Sequence, residues 1–170
     1  MSLRRFIALI GPMGAGKSTV GAELARELDV DLYDTDAMVE AAADLSVTQI
    51  FEHEGEQGFR LRESEALVAA LGSPTGVVAC GGGLVSAPAN RELLAERCQV
   101  IYLRVTPEVA AARLGPRDPN RPLLAGAETV VTLSRITNER EAIYRAVCDH
   151  EVDGDADLSS VVASVISVIG

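Results

Sequence analysis

Phe6-Ile7-Ala8-Leu9-Ile10-Gly11-Pro12-Met13-Gly14-Ala15-Gly16-Lys17-Ser18 is the stretch on which the fold turns. Its first five residues are continuously apolar and rich in β-formers, as in a strand covered on both faces. Gly11 to Ser18 then matches GxxxxGK[ST], and Val20, Leu24 and Leu28 continue at helical spacing. A strand, a Gly-rich turn and a helix in that order build a phosphate cradle. Glycines let the backbone curl so that its N–H groups point at phosphate oxygens, and the helix N-terminus adds positive potential. Lys17 brings a compact cation to the β and γ oxygens, and the Ser18 hydroxyl is placed to ligate Mg2+. The reading is a nucleoside-triphosphate site.

Outward from the cradle, short apolar runs alternate with longer helical patterns. Val77–Cys80 and Val100–Leu103 read as further buried strands, Asp31–Tyr33 as a short one, and Glu151–Val152 as a further candidate. Ser46-Val47-Thr48-Gln49 has the capping-box pattern, and Thr106-Pro107 sets proline in a first helical turn. Glu128–Val147 and Leu158–Ile169 read as helices. This βαβα rhythm predicts an α/β sandwich around a mostly parallel sheet. Three prolines and a glycine between Leu114 and Pro122 forbid a regular element, so that segment is expected to be a mobile lid holding Arg117 and Arg121.

The chain has 170 residues, a length that fits one domain spanning 1–170. Fifteen basic against twenty-five acidic residues leave a net charge of -10. That charge argues against nucleic acid or an anionic membrane as partner, since both need a broad basic face. Lys17 is the only lysine, a scarcity that a GC-rich coding bias explains elsewhere in the chain. It also removes the Asn-Lys-x-Asp base reader of a guanine-nucleotide switch. The apolar run after Arg4-Arg5 stops at Gly11, short of the roughly 7–15 residues of a secretion signal, and nothing approaches a membrane span. Cys80, Cys98 and Cys148 are odd in number and widely spaced, which suits a cytoplasmic protein better than a disulfide framework. A small-molecule kinase fits this length.

The acceptor side starts at Asp34-Thr35-Asp36, expected at a strand's carboxyl end, where α/β folds bind ligands. One carboxylate can serve the metal and the other an acceptor hydroxyl; equally, the pattern can cap a helix. Arg60 and Glu63 are three apart on a helix and share a face. Gly81-Gly82-Gly83 is expected to follow the third strand, where bare backbone can approach a ligand. Arg140 lies on the long later helix.

Together these residues resemble the shikimate kinase family from about Phe6 to Tyr144. Gly11–Gly21 looks like its ATP loop, Asp34-Thr35-Asp36 like its DxD, and Ile50-Phe51 through Gly55-Glu56 to Phe59-Arg60 like its acceptor helix. Gly81-Gly82-Gly83 resembles its triple glycine, and Arg121-Pro122-Leu123-Leu124 its lid arginine. The resemblance implies a three-layer α/β/α P-loop kinase fold, with a five-stranded parallel sheet in the order 2-3-1-4-5 and a lid at about 113–126. It implies ATP-dependent phosphorylation of the 3-hydroxyl of shikimate, giving shikimate 3-phosphate and ADP on the route to chorismate and aromatic amino acids. Gly14, Ala15, Gly16, Lys17, Ser18, Thr19 and Arg121 would hold ATP, and Ser18 and Asp34 would serve Mg2+. Asp36, Arg60, Gly82 and Arg140 would bind shikimate, the two arginines gripping its carboxylate with planar forks. Lys17, Asp36 and Arg121 would carry the catalysis. Glu63 would orient Arg60, and Arg113 or Arg117 would line the adenine or lid. The expected unit is a cytoplasmic monomer. One departure is Ala142, two residues after Arg140, where the family often has proline.

Overall fold

The computed structural model describes residues 5–115 and 129–170. Five strands alternate with helices: β1 (Phe6–Ile10), α1 (Lys17–Leu28), β2 (Leu32–Asp34), α2 (Thr35–Ala43), α3 (Val47–Leu71), β3 (Gly76–Ala79), α4 (Pro88–Arg97), β4 (Cys98–Arg104), α5 (Pro107–Leu114), α6 (Thr129–Val147), β5 (His150–Asp153) and α7 (Leu158–Ile169). A short 3-10 turn, Leu84–Ser86, follows the triple glycine. The strands form one sheet in the order β2-β3-β1-β4-β5, every pair parallel. This is the order that the family resemblance implied.

The central strand is buried because it must be. Phe6, Ala8 and Ile10 face one helical layer, packing with Val78, Val100, Tyr102, Leu67 of α3, Leu94 of α4 and Tyr144 of α6. Leu9 faces the other layer, with Val77, Ile101 and Leu103, against Val20 and Leu24 of α1 and Val161 and Val165 of α7. Alternation along each strand therefore feeds two cores, one on each side of the sheet. Each large side chain buried this way contributes roughly 1.5–3 kcal/mol relative to exposure. A third cluster, Val39, Ile50, Phe59 and Ala66, holds α2 against α3 on the acceptor side.

Several boundaries differ from the sequence expectation. β3 ends at Ala79, so Cys80 lies beyond it and the triple glycine begins two residues past the strand. The second strand runs one residue later than expected, through Asp34. The fifth covers His150–Asp153, and lies at the sheet's edge, where a single pairing with β4 leaves only Val152 buried. Leu28 does not complete the inner face of α1: it is 37% exposed, and Gly21 and Ala25 lie inside with Val20 and Leu24. Leu28 is the last helical residue before the left-handed Asp29 turns the chain away. The expected lid falls almost wholly outside the described residues, Arg117 and Arg121 included.

Candidate active site

The cradle closes at the start of α1. Gly14 adopts φ 77°, and a Cβ there would approach the Ala110 carbonyl of α5 at 2.6 Å, so only glycine fits. Lys17 is the first residue of α1, and its Nζ donates to the carbonyls of Gly11 and Pro12, each at 2.8 Å. The ammonium is thereby held at the loop's centre. No acidic side chain in the first turn of α1 weakens the positive end of the helix.

Asp34 caps a helix, one of the readings that the sequence left open, and also bonds the cradle. Its Oδ1 caps α2, accepting from the N–H groups of Asp36 and Ala37 at 3.1 and 3.2 Å. Its Oδ2 accepts the Ser18 hydroxyl. The pair offers hard oxygen donors side by side, which suits Mg2+. Among the described residues no cluster of three or more His, Cys, Asp or Glu could hold a metal alone. Phosphate and water oxygens would therefore supply the other ligands, as Mg2+ in kinases favours. Thr35, between the two acids, is fully buried and accepts the Gly81 N–H at 2.9 Å. It ties the acid pair to the triple glycine, a link invisible in sequence because threonine there reads as spacer.

Around the glycines four charged side chains converge. A Cβ on Gly81 would collide with Glu63 Oε1 and Asp36 Oδ1, and one on Gly83 with the Arg60 guanidinium. From Gly82 such an atom would stand 3.5 Å from the Met13 nitrogen and 3.8 Å from Arg140 Nη1. Asp36, Arg60, Gly82 and Arg140 therefore meet in space, as expected, although Asp36 and Arg140 are more than a hundred positions apart. Arg60 Nη1 donates to Glu63 Oε2 at 2.6 Å, and Glu56 accepts from its other arm at 3.2 Å. Glu63 is 1% exposed, and its Oε1 has no hydrogen-bond partner among the described residues. Burial pushes the Glu63 carboxyl up to about 7, against the pull of Arg60 beside it. Arg140 stands on an unbroken stretch of α6. Ala142 keeps the backbone N–H that a proline would remove, so the departure leaves the arginine in place.

A cavity of about 400 Å³ runs from Gly14–Thr19 past Asp34 and Asp36 to Gly82. Arg60 and Arg140 stand just behind its glycine wall. Its other end is made by Arg113, whose Nη2 donates to Gly154 and Ala156 carbonyls at 2.7 and 3.3 Å. Arg113 Nη1 reaches the Gly14 and Ala15 carbonyls at 3.4 Å, joining the cradle to the β5–α7 turn. Tyr144, missed at the sequence level, donates its hydroxyl to the Gly82 carbonyl at 2.5 Å. Its spacing of four residues after Arg140 was the signal that could have found it.

A phosphate cradle and an acid on one cavity, with two arginines against the glycines of its wall, are what an ATP-dependent kinase of a hydroxy-acid requires. The sequence pattern of shikimate kinases matches residues 13–170. The chain belongs to the shikimate kinase family. A shikimate kinase of Methylococcus capsulatus is 44% identical over 168 residues, covering 98% of this chain and 93% of that one. Its counterpart from Halorhodospira halophila is 46% identical over 147 residues, 86% of this chain and 82% of that one. The solved shikimate kinase of Acinetobacter baumannii, in complex with shikimate, superposes with a TM-score of 0.94 at 34% identity, over 99% of this chain and 94% of that one. Deoxyadenosine kinase from M. mycoides with bound dATP, at 20% identity and TM-score 0.64, shares the fold alone. The shikimate kinase family phosphorylates shikimate at the expense of ATP, and this member is an enzyme of that type.

Proposed function

We propose that the chain transfers the γ-phosphoryl group of ATP to the 3-hydroxyl of shikimate, releasing ADP and shikimate 3-phosphate. The observation that carries this reading is the meeting of Asp36, Arg60 and Arg140 at the triple glycine, beside the cradle. A hydroxy-acid offers a carboxylate for the two guanidinium forks and a hydroxyl for the carboxylate of Asp36. Gly14, Ala15, Gly16, Lys17, Ser18 and Thr19 surround the triphosphate. The new bond joins O3 to the γ-phosphorus as the bond to the ADP oxygen breaks, and Asp36 orients the hydroxyl and receives its proton. Lys17 stabilises charge that develops on the transferring group, in a reaction governed by position and electrostatics. Ser18 and Asp34 would hold Mg2+, which when bound neutralises phosphate charge. Arg121, outside the described residues, completes the phosphate clamp in this reading; Arg121→Ala is expected to lose rate far more than folding stability.

One chain supplies both the cradle and the acceptor pocket, which supports a monomer of a single 1–170 domain, with the 113–126 segment as its lid. The scattered cysteines support a cytoplasmic setting. Among the described residues no helix is long and apolar enough to cross a membrane. ADP release measured with shikimate, quinate, gluconate and nucleoside monophosphates tests the assignment. Turnover is expected with shikimate, and its absence there would overturn the reading.

A further inference from the structure

Tyr144 joins two parts of the acceptor site that the chain keeps far apart. It follows Arg140 by one turn on α6, and its ring is 1% exposed. The ring stacks on Tyr102 of β4, with centroids 5.1 Å apart and planes 25° apart, so it is held within the core on that side of the sheet. Its hydroxyl donates to the carbonyl of Gly82, sixty-two positions away, at 2.5 Å. The Arg140 guanidinium stands beside the same peptide, with Nη1 3.8 Å from a Cβ built on Gly82. One hydroxyl therefore fixes the glycine peptide on the cavity wall against which the Arg140 guanidinium rests.

We propose that Tyr144 is a positioning residue for the carboxylate end of shikimate, an inference that rests on the function proposed above. An arginine fork discriminates by orientation, and a long side chain held at one end only would sample many orientations. The Gly82 peptide that Tyr144 pins lies beside that guanidinium and limits where it can go. Gly82 has the opposite need: a peptide flanked by glycines has many backbone options, and a donor from the core selects one of them. Tyr102 provides the contrast. Its hydroxyl is buried without a partner among the described residues, so the stack alone does not connect to the site.

The test compares Tyr144→Phe with Tyr102→Phe in the full-length chain. Removing the Tyr144 hydroxyl is expected to raise KM for shikimate about tenfold, the size of one well-placed hydrogen bond, while KM for ATP and the circular dichroism spectrum stay unchanged. Tyr102→Phe is expected to leave both KM values unchanged. In an Arg140→Ala background the added Tyr144→Phe change should cost less than it does alone, because part of what it positions is gone. An unchanged KM for shikimate, an equal rise in both KM values, fully multiplicative effects, or loss of fold in Tyr144→Phe alone would each overturn the proposal. Wild-type chain assayed alongside separates the two levels. If it releases no ADP with shikimate, the function itself is wrong; if it does and Tyr144→Phe matches it, only the positioning role falls.

Discussion

At the residue scale, charge placement decides what this acidic molecule can bind. With a net of -10, the global field offers ATP and shikimate nothing, so attraction comes from single cations at fixed points. Lys17 is the clearest of them. Two backbone carbonyls at 2.8 Å take a compact ammonium, and a planar guanidinium needs different geometry. Lys17→Arg is therefore expected to lower kcat by about 100-fold or more, with a melting temperature close to wild type; wild-type turnover would contradict this. Glu63 gives a second test. A carboxyl raised from 4.5 to about 7 on folding adds stability that is complete below pH 4.5 and lost as pH climbs through about 7. Urea unfolding at pH 5 and pH 8 should show wild type losing roughly 2–3 kcal/mol relative to Glu63→Gln over that interval. Equal slopes for the two proteins would rule out burial of Glu63 as the cause.

At the element scale, α3 carries Arg60 beyond a local irregularity, and α5 carries Arg113 in its last turn. α3 is interrupted at Gly55, with φ 71° and ψ -177°, a conformation nearly confined to glycine. Phe51 and Phe59 pack across that break with ring centroids 4.8 Å apart and planes tilted by 38°, and Arg60 and Glu63 lie beyond it. No atom lies within 4 Å of a Cβ built on Gly55, so the cost of a side chain there is backbone strain alone. Gly55→Ala should destabilise by about 1–3 kcal/mol and raise KM for shikimate without changing that for ATP. Denaturant midpoints together with both KM values check this. Arg113, in the last turn of α5, bridges the cradle and the β5–α7 turn. Arg113→Ala is expected to raise KM for ATP several-fold, in line with about 0.5–1.5 kcal/mol per hydrogen bond lost, and to leave KM for shikimate alone.

At the scale of the whole molecule, the sheet places its ligand sites where its two helical layers meet. The cradle follows β1, the acid pair straddles the end of β2 and the glycines follow β3, so all three adjoining strands end at one cavity. The cavity is lined from α1, α2, α5 and α7 as well as from the strand ends, so it exists only in the folded chain. Shikimate at 100 times its Kd should add about 2.7 kcal/mol, and hence raise the melting temperature by roughly 5–10 °C for a chain this size. A thermal melt with and without shikimate measures it, and no shift would mean that the pocket does not form in solution.

The sequence by itself determined the α/β class and the cradle, and it singled out Asp36, Arg60, Gly82 and Arg140 as candidates. Those signals are local: a continuous apolar run, a Gly-rich loop of fixed spacing, a capping box at Ser46 that the structure reproduces with Gln49. The sheet order and the convergence of Asp36, Arg60 and Arg140 were legible only through family resemblance, because no short-range pattern encodes which strands become neighbours. Only the tertiary structure decided what lies between the motifs. Thr35 bonding Gly81, Tyr144 bonding Gly82, Arg113 joining two turns, and the burial that raises Glu63 all depend on contacts across tens of residues. Hydrogen bonds and desolvation act over a few ångströms of space and are blind to separation along the chain.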